Sequence, residues 1–227
     1  MTKVKICGIT NLEDAFACIE AGADLLGFVT EFPVPVPWNL DRKKTRNLIE
    51  KVRNKVATVV VTSGTIDKIL DIVEFTRPQI LQLHGKETLS EIREIFNKLN
   101  STGVKIIKAL PIQLETRKAF FEIEEPEDAL LAIQSTGVWA ITVDSKTSKM
   151  PAGTGKVLEW KLAKRLRKIA NIPFFLAGGL TPDNVQTAIK EVNPYGVDVI
   201  TGVEKIPGKK DPEKVKLFIK AVKRYNY

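Results

Sequence analysis

Apolar residues in this 227-residue chain fall into short, β-branched runs separated by longer stretches in which they recur every three to four positions. The runs have the pattern of strands buried on both faces and the stretches that of amphipathic helices, so their alternation predicts βαβ units and a parallel sheet. Eight runs read as strands: VKICGI (4–9), LLGFV (25–29), ATVVVT (57–62), ILQLH (80–84), VKIIKAL (104–110), WAITVD (139–144), PFFLAGG (173–179) and GVDVITG (196–202). The spacing of about 28 residues per unit leaves room for one strand, one helix and two short loops. Helix starts are marked by Asn11 with Asp14 three residues on, by Thr181 followed by Pro182 and Asp183, and by Asp211 followed by Pro212 and Glu213.

Eight such units close more naturally than they stay open, because the last strand can pair with the first and remove both edges. The expected fold is a (β/α)8 barrel forming a single domain over 1–227. An open doubly wound sheet is the alternative, but no GxGxxG follows the first strand, which removes the usual dinucleotide fingerprint. Two segments break the rhythm: EFPVPVPWNLD (31–41) and SKTSKMPAGTGK (145–156). Each follows a strand, on the face where barrels carry their chemistry, and is expected to cover a substrate.

In a barrel of this kind the reactive groups lie at the carboxyl ends of strands. Those ends supply Cys7 and Gly8, His84 and Gly85, Lys108, Asp144, Gly178 and Gly179, and Thr201 and Gly202. A thiol and a carboxylic acid facing each other across the mouth suit the transfer of a proton from one atom to another, which is isomerase chemistry. Cys7 also fits a small buried packing residue, since free cysteine is often buried. Asp144, ending the apolar run WAITV, would lose solvation, and that cost calls for a use. The glycine pairs after strands seven and eight fit a phosphate held by backbone N–H groups, or else serve only as tight turns. His84, the only histidine, is a candidate substrate contact, while Lys108 could meet an anion or lie capped at the surface.

Composition narrows this picture. The net charge is +8, but lysines such as Lys43, Lys44, Lys51, Lys55, Lys161, Lys164 and Lys168 are scattered rather than interleaved with aromatics. A small anionic substrate drawn in by a basic surface is therefore expected, and nucleic acid is not. No window approaches a membrane span, and the start MTKVKICGIT has charge where a signal peptide needs an apolar run, so a cytoplasmic protein is expected. Cys7 and Cys18 sit in different pattern contexts and predict neither a disulfide nor a metal site. The Lys-, Glu- and Ile-rich composition is compatible with heat adaptation, in which association into a homodimer is one route to stability.

The segments VKICGITNLEDA (4–15), AGADLLGFV (21–29), LQLHG (81–85), VDSKT (143–147), GTGK (153–156), LAGGLTPDNV (176–185) and GVDVITGVE (196–204) together resemble the phosphoribosylanthranilate isomerase family nearly end to end. These are barrel enzymes that carry out an Amadori rearrangement in tryptophan biosynthesis. The resemblance implies that Cys7 is the general base and Asp144 the general acid, with no cofactor and no metal. It implies opening of the furanose of N-(5′-phosphoribosyl)anthranilate to a Schiff base, loss of the C2′ proton to Cys7, and tautomerisation to 1-(2-carboxyphenylamino)-1-deoxyribulose 5-phosphate.

A base at neutral pH needs help from a nearby charge, and Lys5, two residues before Cys7 on the same strand, is expected to meet Asp198 inside the barrel and bias the thiol. Two positions depart from the family pattern. Where members carry an arginine for the anthranilate carboxylate, this chain has PVPVPWNLD. Trp38 is expected either to stack on the aromatic ring, with Arg42 or Arg46 supplying the charge, or to close the loop against the barrel. The usual Ser-Ser of strand eight is Ile200-Thr201, which keeps one hydroxyl near the phosphate. The alternatives are a barrel isomerase for another phosphoribosyl compound and a non-catalytic barrel that binds a phosphorylated metabolite.

Overall fold

A computed structural model describes residues 1–146 and 159–224. The glycine- and lysine-rich segment expected as a covering loop at 145–156 lies mostly outside the described residues. Eight parallel strands close into a barrel: β1 (Lys3–Ile6), β2 (Leu25–Val29), β3 (Ala57–Thr62), β4 (Ile80–Leu83), β5 (Lys105–Gln113), β6 (Ala140–Lys146), β7 (Phe174–Leu176) and β8 (Gly196–Val199). Eight helices surround them: α1 (Leu12–Ala21), α2 (Arg42–Val52), α3 (Ile66–Thr76), α4 (Leu89–Leu99), α5 (Pro126–Gln134), α6 (Trp160–Ile169), α7 (Val185–Val192) and α8 (Pro212–Arg224). Between β8 and α8 the chain adds a small antiparallel hairpin, β9 (Glu204–Ile206) with β10 (Lys209–Lys210). The expected barrel is the fold.

The strands read as continuous apolar runs because both of their faces are covered. Outward residues such as Ile6, Leu26, Phe28, Val60 and Leu81 pack against the inner stripes of the helices in one large core. Inward residues including Leu25, Val29, Val59, Val61, Ile80, Ile107 and Phe175 form a second core that plugs the barrel below its mouth. Burying each such side chain contributes about 1.5–3 kcal/mol.

Local sequence chemistry sets the helix starts. The Asn11 side chain accepts from the Asp14 N–H, Asp41 from Lys44 and Thr65 from Lys68, and Thr88 with Glu91 forms a reciprocal capping box. Helix α7 begins three residues later than Thr181 suggests. The Thr181 N–H donates to Asn184 Oδ1 and Asn184 Nδ2 donates to the Gly179 carbonyl, so residues 181–184 form a turn and Asn184 becomes the cap.

Closure decides what faces what inside the barrel. β8 pairs with β1 in the register Lys5↔Asp198, which sets a lysine and an aspartate side by side on inward positions. Strand ends are shorter than the sequence runs: β1 stops at Ile6 and β7 at Leu176, so Cys7, Gly178 and Gly179 lie just past the ladder, on the rim. No helix among the described residues is long and apolar enough to cross a membrane.

Candidate active site

The rim at the carboxyl ends of the strands carries a cleft that opens to solvent, with about 710 Å³ of empty space when that open solvent is included. Its wall carries Cys7 after β1, Val29 of β2, Phe32, Val36 and Trp38 of the following loop, Val61 of β3, and Gln82 and His84 at β4. Asp144 of β6, Ala177–Leu180 after β7, and Asp198–Gly202 at β8 complete it. Of the residues expected to form the site, Cys7, Asp144, Gly178, Gly179, Thr201, Gly202, His84, Trp38 and Asp198 are thus brought together.

Cys7 is held by backbone, its N–H donating to the Val199 carbonyl at 2.9 Å. Its thiol fits because β2 has a glycine opposite: a Cβ on Gly27 would stand 2.5 Å from Cys7 Sγ. A glycine inside the strand LLGFV was the available signal of such a close approach. Below the thiol, Lys5 Nζ donates to Asp198 Oδ2 at 2.7 Å, as expected, with the lysine side chain fully buried. Burial pushes the Cys7 thiol up, Lys5 pulls it down and Asp198 pushes it up again; the net direction is upward. Lys5 itself would be lowered by burial, but Asp198 and Cys7 opposite it carry it above its ordinary value. The lysine therefore offsets part of the thiol's desolvation without reversing it.

Asp144 is 8 % exposed, and its Oδ1 accepts the Ser145 N–H at 2.7 Å. Burial and, after it, the neighbouring negative Asp198 push its carboxyl up to about 7, against the Ser145 amide and Lys5, which pull it down. Such a group is half protonated near neutrality and can deliver a proton where an ordinary aspartate could not. Asp198 Oδ1 is buried and has no hydrogen-bond partner among the described residues.

The β7 and β8 loops form a cradle of backbone. Gly178 and Gly179 have φ of +89° and +63°, left-handed values that favour glycine, and a Cβ on Gly178 would stand 2.6 Å from Ser145 Oγ. A Cβ on Gly202 would overlap the Leu180 carbonyl, so the two loops touch through bare backbone. Thr201–Val203 form a single 3-10 turn that brings Thr201 to the wall of the cleft. This construction suits a phosphate held by N–H groups.

The aromatic side differs from expectation. Trp38 is 4 % exposed and its Nε1 donates to Glu204 Oε1 at 2.6 Å. Its ring lies on Gly8, with Cδ1 2.8 Å from where a Cβ would be, so it both closes the loop and walls the cleft. Arg42 does not reach the cleft: its guanidinium is ion-paired to Glu31 at 2.7 Å and to Asp71 on α3. The capping position of Asp41 starts α2 immediately after the loop and turns Arg42 outward. Arg46 lies on the same helix, paired with Glu50 and stacked over Phe75. Among the described residues, no lysine or arginine lines the cleft, and His84, beside Gln82 and edge-on to Phe32, is the group there that can carry positive charge. Lys108 is neither an anion contact nor a surface lysine. It is fully buried and paired with Glu87 at 3.0 Å. Among the described residues no group of three or more His, Cys, Asp or Glu is placed to hold a metal ion.

The architecture and the rim define the class: a (β/α)8 barrel whose mouth carries a buried thiol, a buried carboxyl and a glycine-built cradle of backbone. The sequence model of N-(5'phosphoribosyl)anthranilate (PRA) isomerase matches residues 4–221. An N-(5'-phosphoribosyl)anthranilate isomerase of Methanosarcina acetivorans is 37 % identical over 224 residues, covering 98 % of this chain and 93 % of that protein. The solved phosphoribosyl anthranilate isomerase of Thermotoga maritima superposes with a TM-score of 0.82 at 36 % identity, covering 99 % of this chain and 100 % of that one. A further such isomerase, solved in complex with reduced 1-(o-carboxyphenylamino)-1-deoxyribulose 5-phosphate, has a TM-score of 0.79 at 33 % identity, with 99 % and 100 % coverage. The chain belongs to the N-(5'-phosphoribosyl)anthranilate isomerase family, aldose–ketose isomerases of tryptophan biosynthesis.

Proposed function

We propose that Cys7 and Asp144 carry the family's reaction in this chain, converting N-(5′-phosphoribosyl)anthranilate to 1-(2-carboxyphenylamino)-1-deoxyribulose 5-phosphate. The observation that carries the reading is a thiol and a carboxyl raised to about 7 on the wall of one cleft whose far side is a backbone anion cradle. The phosphate is seated on the N–H groups of Gly178, Gly179 and Gly202 and the Thr201 hydroxyl, and the aryl ring faces the apolar wall of Phe32, Val36 and Trp38, with His84 and Asp198 at the sugar.

Protonated Asp144 donates to the furanose ring oxygen. The C1′–O bond breaks as the nitrogen lone pair forms the Schiff base. The Cys7 thiolate then takes the C2′ proton, and the C–H electrons pass through the C1′–C2′ bond to the nitrogen, giving an enolamine. Reprotonation at C1′ and loss of the O2′ proton give the ketone, so the overall change is an isomerisation that needs no external oxidant or reductant. Lys5 keeps the thiolate within reach by offsetting part of its desolvation. The reading places a small phosphorylated substrate, rather than nucleic acid, in the cleft of a cytoplasmic enzyme, and light scattering measures the expected homodimer.

Generating phosphoribosylanthranilate in situ and following the loss of its fluorescence tests the proposal. The parent is expected to turn over, while Cys7→Ser and Asp144→Asn lose turnover. Activity retained in both variants would overturn the residue roles, and an inactive parent would overturn the substrate.

A further inference from the structure

The hairpin after β8 is tied to the cleft by buried contacts that proton transfer at Cys7 does not use. Glu204 Oε1 accepts from Trp38 Nε1 at 2.6 Å, from Lys210 Nζ at 3.1 Å and from the Gly208 N–H at 3.2 Å. Lys210 is 1 % exposed; its ammonium also donates to the Ile200 carbonyl at 3.3 Å, and its backbone N–H to Asp14 Oδ2 at 2.9 Å. The Thr10 hydroxyl donates to the Gly208 carbonyl at 2.7 Å. One carboxylate oxygen thus gathers the β2–α2 loop, the β9–β10 hairpin and, through Lys210, the end of β8.

A buried indole N–H needs an acceptor, and any carbonyl would satisfy it. A buried carboxylate is a costlier choice that requires its own cation, here Lys210. What it adds is a short, charge-assisted hydrogen bond that fixes the rotation of the ring. The fixed ring lies against Gly8, the residue after Cys7, whose φ of +75° and missing side chain leave the space it fills. Trp38 has therefore one seat, on the cleft wall beside the thiol.

We propose that Glu204 is a positioning residue for the isomerisation: it holds the Trp38 indole over Gly8 as a preset wall for the aromatic half of the substrate, and Lys210 anchors Glu204 in its buried place through their 3.1 Å ion pair. The inference rests on the reading of Trp38 as a substrate contact given above. Presetting the wall lowers the ordering cost of binding and so acts on KM more than on the proton-transfer steps.

Two measurements test it. In steady-state kinetics Glu204→Ala is expected to raise KM about tenfold with kcat within about threefold, and Glu204→Gln, which keeps an acceptor, stays within about threefold of the parent in both. In a Trp38→Phe background, where no N–H remains to be held, adding Glu204→Ala changes KM by less than about twofold. A KM rise of the same size in both backgrounds would overturn the proposal. The second measurement needs no turnover: the Trp38 indole proton, identified by its absence in Trp38→Phe, exchanges slowly in the parent and in Glu204→Gln and rapidly in Glu204→Ala. If Glu204→Ala alone does not fold, the doubly neutral Glu204→Ala/Lys210→Met replaces it in both experiments. Slow exchange in Glu204→Ala, or in the double variant that replaces it, would also overturn the proposal, whereas an inactive parent with the expected exchange pattern would overturn only the substrate.

Discussion

Two fully buried lysines stand on opposite strands of the same barrel and do different things. Lys108 on β5 donates to the Gly85 carbonyl at 2.9 Å, to the Ala109 carbonyl at 3.0 Å and to Glu87 Oε2 at 3.0 Å. Its three protons are used, and Glu87 Oε2 also takes the Gly85 N–H, so the pair locks the turn that carries His84 to the rim. Lys5 on β1 shares its charge between Asp198 and the Cys7 thiol, and Asp198 keeps one oxygen without a partner at the wall of the cleft. Burial costs both lysines solvation. Each pair leaves one carboxylate oxygen without a hydrogen-bond partner among the described residues, Glu87 Oε1 and Asp198 Oδ1, so what separates the pairs is place: Glu87 and Lys108 stand away from the cleft as a structural clamp, whereas Asp198 lines it together with Cys7 and Asp144.

The sharpest way to break this contrast is at the reacting groups. Cys7→Ser and Asp144→Asn each are expected to lower kcat/KM by about 10²–10⁴-fold, the usual worth of a positioned acid or base. Losses below tenfold in the fluorescence assay would move the chemistry elsewhere. Next come the lysines themselves. Lys5→Met and Lys108→Met each strand a buried carboxylate, and urea melts are expected to show losses of about 3–5 kcal/mol. Only Lys5→Met is expected to raise the pH at which Cys7 alkylates further. A shift of equal size in both variants would erase the distinction.

The pH dependence separates the two regions more finely. The productive state needs thiolate at Cys7 and neutral carboxyl at Asp144, yet the base lies above its ordinary value and the acid at about 7. That pair is a minority at every pH and is most populated between the two values, so kcat/KM climbs through about pH 7 and falls above the ordinary thiol range, with apparent values belonging to the coupled pair. A profile that only falls through pH 7 would contradict the assignment. For stability the sign follows from the raised carboxyl. The contribution of neutral Asp144 is complete below its unfolded value of about 3.9 and is lost as pH rises through about 7, so Asp144→Asn gains on the parent across that window in denaturant midpoints. The smallest effect is expected at Arg42. Paired with Glu31 and Asp71 outside the cleft, it can become methionine with KM unchanged within about twofold, and a larger rise would bring the arginine into the substrate site.

Much of the site was legible because its parts are local. Cys7 and Asp144 announce themselves as polar atoms ending apolar runs, and Gly178, Gly179 and Gly202 stand where strand-to-helix turns must present bare backbone. Even Lys5 facing Asp198 follows from strand alternation once the barrel is closed. The turn at 181–184 was misjudged because Thr181, Pro182 and Asp183 form an acceptable cap by themselves, and only the hydrogen bond from the Thr181 N–H to Asn184 Oδ1 delays the helix. Arg42 was misplaced because charge and proximity in sequence carry no direction, and α2 turned it toward Glu31.

By itself, the sequence determined the alternation of strands and helices, the closure it requires, and which residue types stand at the strand ends, since these depend on periodicity and on neighbours a few positions away. The tertiary structure decided which way the Cys7 thiol shifts, that Gly27 makes room for it, that Lys108 is a clamp, and that Trp38 rests on a carboxylate 166 residues further along the chain. Those outcomes depend on burial and on partners from other strands, and desolvation and long-range pairing exist only after the barrel has closed.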